Sequence, residues 1–114
     1  NSNLRPTLID NFLISVSLEG YLVVIDKITG NIIKVTDVFN NFNPKKRKEI
    51  LPTGFIVGRK NIYLSTNMGR LLVIDIKSGK TISTLKIDKD KISRPFVSNQ
   101  NLYLAKDNAI IKLN

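Results

Sequence analysis

The 114-residue chain is 42% hydrophobic and 24% charged, as is ordinary for a folded protein, and its formal net charge is +9. Cysteine, histidine and tryptophan are absent, which excludes disulfides, thiol nucleophiles, histidine general bases and Cys/His zinc sites. No apolar run approaches the roughly 20 residues that a membrane-spanning helix needs.

Short β-strands separated by turns are predicted along the whole chain. Runs of β-branched and aromatic residues bounded by Gly, Asn and Asp are typical of strands, and no helical period is sustained. The predicted strands fall into three groups: 7–10, 12–17, 21–26 and 32–36; then 54–57, 62–66, 70–75 and 81–87; then 96–98, 102–105 and 109–113. The sequence therefore predicts an all-β fold.

Two kinds of turn recur between the predicted strands. Gly20 and Gly69 stand where a tight hairpin needs a positive φ. Asp26 and Asp75 each close a strand and precede a Thr/Ser-Gly pair. We expect these two carboxylates to accept backbone N–H groups within the turn, and not to act as acids or metal ligands.

The three groups of strands are copies of one repeat. Residues 19–26 return as 68–75 at an offset of 49, and again as 107–114 at a further offset of 39. In the third copy Asn108 replaces the glycine and Asn114 replaces the closing aspartate. Two upstream sets also match: residues 11–15 with 61–65 and 101–105, and residues 5–7 with 51–53 and 94–96.

A four-stranded repeat of about 40–50 residues is typical of a β-propeller blade. The sequence thus predicts one partial-propeller domain over residues 1–114, with about two and a half to three four-stranded antiparallel blades at 5–38, 51–88 and 94–114. Propellers usually have about 4–8 blades. We therefore expect a fragment of a longer propeller, or a chain that self-associates through its exposed blade edges to complete a ring.

The motif Gly-x-Leu-x-x-Ile-Asp followed by Thr/Ser-Gly resembles the quinoprotein-type (PQQ-like) propeller repeat family. The matching positions are Gly20, Leu22, Ile25, Asp26, Thr29 and Gly30 in the first copy, and Gly69, Leu71, Ile74, Asp75, Ser78, Gly79 and Lys80 in the second. The resemblance implies the propeller fold. Its members include quinone-dependent dehydrogenases, which bind pyrroloquinoline quinone and calcium, and non-enzymatic outer-membrane assembly factors of the BamB type.

The chain departs from the dehydrogenases at decisive positions. The tryptophan-docking position is held by Lys34 and Ser83, adjacent cysteines are absent, and no cluster of carboxylates and Asn forms a recognisable calcium cage. We therefore expect no enzyme, no cofactor, and no catalytic, cofactor-binding or metal-binding residues in this chain.

The BamB-like resemblance implies a protein-interaction scaffold in outer-membrane protein assembly, on the periplasmic side of the cell envelope. A barrel-assembly component would then be the protein partner. The main alternative is a fragment of a PQQ-dependent dehydrogenase whose active-site residues lie outside this chain. A third possibility is a scaffold propeller unrelated to membranes, such as a cytosolic hub.

A basic segment at residues 40–50 lies between the first two predicted blades, and it carries Lys45, Lys46, Arg47 and Lys48. One interpretation is a solvated connecting loop. The other is a contact loop for an acidic protein partner or, peripherally, for a membrane surface. No nucleic-acid partner is expected, because the aromatic residues fall mainly in apolar strand patterns and do not interleave with the basic residues.

Overall fold

The computed structural model describes residues 4–89, 91–106 and 109–113. Over these ranges the chain forms three antiparallel sheets in which every strand pairs with its neighbours in sequence. Each predicted strand is present with its ends shifted by at most two residues, so the all-β prediction is confirmed. The repeat positions Asn108 and Asn114 lie outside the described residues.

The three sheets are named blades 1 to 3 in chain order. Blade 1 contains β1 (Thr7–Ile9), β2 (Phe12–Val16), β3 (Tyr21–Asp26) and β4 (Ile32–Asp37). Helix α1 (Pro44–Glu49) follows, and blade 2 contains β5 (Pro52–Val57), β6 (Asn61–Thr66), β7 (Arg70–Asp75) and β8 (Thr81–Lys86). Blade 3 contains β9 (Phe96–Ser98), β10 (Asn101–Lys106) and β11 (Ala109–Lys112).

The hydrophobic core lies between successive blades. Leu71 and Leu72 are adjacent in β7, and because side chains alternate along a strand they point to opposite faces of blade 2. Leu72 joins Ile14 of blade 1 in one buried cluster, and Leu71 joins Leu104 of blade 3 in another. A central strand with both faces covered explains why β7 reads as a continuous apolar run.

The predicted turn chemistry is confirmed. The Asp26 carboxylate accepts the backbone N–H groups of Ile28 at 2.9 Å and Thr29 at 3.3 Å. The Asp75 carboxylate accepts that of Ser78 at 2.9 Å. The glycines that close both kinds of turn in blades 1 and 2 have positive φ. These aspartates therefore shape the turns.

The strand pairings correct one part of the repeat alignment. Phe12 pairs with Asp26, and Asn61 pairs with Asp75, so Phe12 and Asn61 are equivalent and the offset between blades 1 and 2 is 49 in this strand too. The predicted match of Asn11 with Asn61 was wrong by one residue.

The predicted match of residues 5–7 with 51–53 and 94–96 was also wrong for residues 51–53 of blade 2. The pairing of β1 with β2, and of β9 with β10, places Pro6 and Pro95 at the same position before the first strand pair. In blade 2 that position holds Phe55, whereas Pro52 lies further upstream at an irregularity in the pairing with β6.

Among the described residues, no helix combines the length and the apolar character needed to cross a membrane.

Candidate functional site

The connection between blades 1 and 2 is packed onto the protein and is not a free loop. Val38, Phe39 and Ile50 are all buried in the core that joins the two blades. The ring of Phe42 meets that of Phe39 edge to face, with 5.8 Å between centroids. Where the sequence predicted a loop over residues 40–50, the structure has helix α1 within that segment.

Local chemistry explains where α1 begins. Asn43 is the N-cap, its side-chain oxygen accepts the backbone N–H of Lys46 at 2.8 Å, and Pro44 occupies the first helical turn. Both are favoured at a helix start. A six-residue helix is too short to be stable alone, so its packing decides whether it forms.

Asn67, in the β6–β7 turn of blade 2, holds the other end of the segment. Its side-chain nitrogen donates to the carbonyl oxygen of Glu49 at 3.0 Å, and its side-chain oxygen accepts the N–H of Leu51 at 2.7 Å. The helix is therefore fixed to blade 2 at its C-terminal end.

Arg47 fixes the helix to blade 1. Its guanidinium donates to the Asp37 carboxylate at 2.6 Å and lies 6.0 Å from the centre of the Tyr21 ring. The hydrogen bond to Asp37 is the main cause that raises the pKa of Arg47 above its usual value. Both partners are part-exposed, so the pair is a moderate anchor.

The four residues predicted as a contact loop therefore separate into two roles. Arg47 faces the protein, whereas Lys45, Lys46 and Lys48 are exposed to solvent. These three residues are called the lysine cluster. The sequence showed the four positive charges but could not show which of them pairs with another residue of the fold.

A second feature was missed by the sequence analysis: a groove of about 850 Å³ between blades 1 and 2, called the inter-blade groove. Its lining comes from both blades: Ile9, Asp10, Phe12, Ile14, Val24, Ile33, Lys34, Val57, Gly58, Arg59, Ile62, Ile76 and Lys77. It opens beside the β1–β2, β5–β6 and β7–β8 turns. In an antiparallel blade these turns lie at the end opposite to the β4–β5 connection that carries α1.

One repeat position differs in size between this groove and the neighbouring pocket. Ile14 and Tyr63 are equivalent, since Ile14 pairs with Val24 and Tyr63 pairs with Val73. Tyr63 lines the corresponding pocket between blades 2 and 3, which is only about 150 Å³. The groove between blades 1 and 2 is also lined by Ile76 and Lys77 of the β7–β8 turn, so the two openings differ in more than this position.

Within the described parts of the chain, no three or more Asp, Glu, His or Cys residues come together as a possible metal site. Calcium is bound by six to eight oxygen ligands, several of them carboxylates. The described residues therefore do not fit the calcium and quinone centre that the dehydrogenase resemblance would imply.

No protein-family model and no curated protein matches the chain. Its fold is similar to solved structures at low sequence identity. The beta-propeller domain of Cps50 (Swd1) from Myceliophteria thermophila matches with a TM-score of 0.69 and 16% identity, over 84% of this chain and 32% of that one. The chain is a partial β-propeller.

Two further structures give the same result. Sqt1 from Saccharomyces cerevisiae matches this partial propeller with a TM-score of 0.72 and 15% identity, over 91% of this chain and 28% of that one. The quinohemoprotein alcohol dehydrogenase ADHIIG from Pseudomonas putida HK5 matches with a TM-score of 0.64 and 18% identity, over 87% of this chain and 16% of that one. The chain thus spans a third or less of these proteins, and the predicted fold is confirmed.

Proposed function

We propose that this partial propeller is a non-catalytic scaffold that binds an acidic protein partner through the lysine cluster. The observation that carries the proposal is the separation of roles within α1. Arg47 anchors the helix through Asp37, and the lysine cluster projects into solvent. Binding residues held on a rigid scaffold lose little conformational freedom when a partner docks.

Charge determines the kind of partner. The chain carries 18 basic and 9 acidic residues, and Glu49 is the one acid in α1. A local concentration of positive charge attracts acidic surfaces and accelerates association, and the attraction weakens as salt is added. An acidic protein surface therefore complements the lysine cluster.

The finer proposal is a BamB-like role, in which the partner is an outer-membrane barrel-assembly component on the periplasmic side of the envelope. It is supported by the resemblance of the turn and strand motif around Gly20 and Asp26 to the quinoprotein-type repeat. The packing of the basic segment also fits a scaffold, because the exposed charges sit on a structured element.

Photocross-linking tests this role. A photoreactive amino acid at position 45 is introduced in cells, and the captured protein is identified by mass spectrometry. A barrel-assembly component captured from position 45, and not from position 27 at the opposite end, supports the proposal. Capture of the same proteins from both positions contradicts it.

Affinity for the identified partner then tests the lysine cluster. Replacing Lys45, Lys46 and Lys48 with Ser should weaken binding, most strongly at low salt. The matched control replaces Lys27, Lys60 and Lys80, which are exposed at the opposite end, and removes the same charge. Equal affinity of the two variants at low salt contradicts the proposal. Stronger binding to anionic phosphatidylglycerol vesicles than to the protein partner would assign the cluster to a membrane surface instead.

A second candidate is a fragment of a quinone-dependent dehydrogenase, favoured by the fold likeness to the quinohemoprotein alcohol dehydrogenase. Its quinone and calcium ligands would have to lie outside the described residues, which offer no suitable acidic cluster. Titration of the full-length protein that contains this chain with pyrroloquinoline quinone and Ca²⁺, followed by the quinone absorbance, separates the candidates. Saturable calcium-dependent binding supports the dehydrogenase, and an unchanged spectrum supports the scaffold.

A further inference from the structure

The inter-blade groove combines apolar walls with a basic rim. Phe12 and Val24 of blade 1 face Val57 and Ile62 of blade 2 across it. Its volume of about 850 Å³ lies within the range of about 300–1,000 Å³ that is common for small-molecule sites. An apolar ligand would therefore remove surface on both blades from water.

The positive charges of the rim gather at one place. Lys34 donates from its ammonium group to the carbonyl oxygen of Ser78 at 3.4 Å, which brings it beside Lys77. The N–H of Ile76 donates to the carbonyl oxygen of Lys60 at 3.0 Å, which brings the β5–β6 turn with Arg59 to the same turn. The 76–78 turn carries Lys77, and Lys34 and the β5–β6 turn with Arg59 lie beside it.

The opposite side of the groove contributes the acid of the lining. Asp10 lies in the β1–β2 turn and is exposed. Asp75 directly precedes the 76–78 turn and interacts electrostatically with Lys77 and Lys34, so three cations stand against two carboxylates and the mouth of the groove keeps a smaller positive excess. The arrangement favours one anionic group at that turn, with an apolar body lying along the walls.

The groove is not a surface that further blades would cover. Both of its walls belong to this chain, whereas a neighbouring blade would stack on the outer face of blade 1 or blade 3.

We propose that the inter-blade groove binds a small amphipathic carboxylate, such as a fatty acid. The acyl chain contacts Phe12, Val24 and Ile62, and the carboxylate lies near Lys34, Arg59 and Lys77. The site is independent of the lysine cluster, which lies at the other end of the blades, so it does not rest on the proposed scaffold function.

Isothermal titration with dodecanoate below its micelle concentration tests the proposal. One saturable site is expected. Dodecylammonium, which has the same chain and the opposite charge, should bind at least about tenfold more weakly, because it would meet the cations of the rim. Equal binding of the two amphiphiles would overturn the proposal.

Two adjacent residues provide a matched pair of variants. Val24 lines the groove, and Val23 points to the other face of β3, yet both are half-buried. Val24→Phe should abolish dodecanoate binding, whereas Val23→Phe should retain it. Loss in both variants or in neither would overturn the proposal, and loss with Val23→Phe alone would place the ligand on the outer face of blade 1.

Variants of exposed residues keep the test informative if Val24→Phe does not fold. Ile33 is 51% exposed in the groove lining, so Ile33→Asp should fold normally and expel the anion. Arg59→Glu with Lys77→Glu should weaken dodecanoate binding by about tenfold or more, whereas Lys27→Glu with Lys86→Glu, outside the groove, should leave it within about twofold. Equal effects of the two double variants contradict the assigned rim.

Discussion

The ring of Phe39 packs directly on Gly20, so that a methyl group at position 20 would overlap the ring. Gly20 also has a φ of +96°, which other residues rarely adopt. The contact joins the β2–β3 turn to the start of the connection that carries α1. One glycine therefore satisfies both the hairpin and the packing of the neighbouring segment.

Alanine at positions 20 and 30 separates these two requirements. Gly30 has a φ of +77°, but a methyl group added there would have no atom within 4 Å, so only backbone strain of about 1–2 kcal/mol opposes Gly30→Ala. Gly20→Ala adds overpacking of about 1–3 kcal/mol. Urea unfolding should show the larger loss for Gly20→Ala, and equal losses would mean that the Phe39 contact has no energetic role.

Arg47 is predicted to stabilise the fold, whereas the lysine cluster is not. Arg47→Ala should lower the free energy of unfolding by about 1 kcal/mol, through the lost pair with Asp37 and the contact with Tyr21. Lys48→Ala, at an exposed position of the same helix, should change it by less than about 0.5 kcal/mol.

A double-mutant cycle of Asp37→Ala and Arg47→Ala measures the pair itself. Asp37 also accepts the N–H of Phe39 at 3.1 Å. The loss of stability in Asp37→Ala therefore includes this second hydrogen bond and exceeds the energy of the pair with Arg47. The cycle subtracts the contribution of the Phe39 hydrogen bond. A coupling energy of about 0.5–1 kcal/mol is expected at this exposure. A coupling of zero would mean that the pair with Asp37 does not stabilise the fold and that Arg47 resembles the lysine cluster in this respect.

The repeats show which features of a fold are readable from one sequence. The strands and turns depend on local chemistry, as at Asp26 and Asp75, and they were predicted with small errors at the ends. The register of β6 was not predicted correctly, because Asn11 and Asn61 are the same residue type and each stands before an apolar run. Only the pairing partners across the hairpin show that Asn61 corresponds to Phe12.

The candidate site was only partly readable for a different reason. The basic run was visible, but the separation of Arg47 from the lysine cluster depends on Asp37 and Tyr21, which lie far away in sequence. The inter-blade groove is lined by residues that lie far apart in sequence, such as Ile14 of blade 1 and Ile62 of blade 2, and local patterns do not show that they come together.

Asp75 should make the stability of the fold dependent on acid pH. The backbone N–H of Ser78 is the main cause that lowers the pKa of Asp75 below its usual value near 3.8, and the Ser78 side chain adds to it. A carboxylate with a lowered pKa in the folded state stabilises the fold above the unfolded pKa, and this stabilisation is lost as the pH falls through the folded pKa. Asp75→Asn should therefore be less stable than the wild type at neutral pH.

The pH profile provides the check for Asp75. Urea midpoints measured from pH 7 downward should begin to converge for the wild type and Asp75→Asn once the pH falls below the usual value near 3.8, and they should meet below the lowered pKa of the folded state. A gap that stays constant across this range would show that the charge of Asp75 contributes nothing to the turn.

The outer faces of blades 1 and 3 predict self-association of the chain. Leu71 and Ile110 occupy equivalent strand positions in blades 2 and 3, but Leu71 is 1% exposed and Ile110 is 70% exposed. Val35, on the outer face of blade 1, is 54% exposed. No sheet of the described chain covers either face. Because the two faces differ, a head-to-tail contact between copies would cover both.

Light scattering across a concentration series measures this association directly. The mass should rise above that of the monomer with concentration, and Ile110→Glu or Val35→Glu should return it to the monomer, because each places a charge in the apolar contact. Ile28→Glu makes the same change in the β3–β4 turn, where the side chain is 75% exposed, and should leave the mass unchanged. A monomer at every concentration would show that the exposed faces of blades 1 and 3 are stable in water without a second copy.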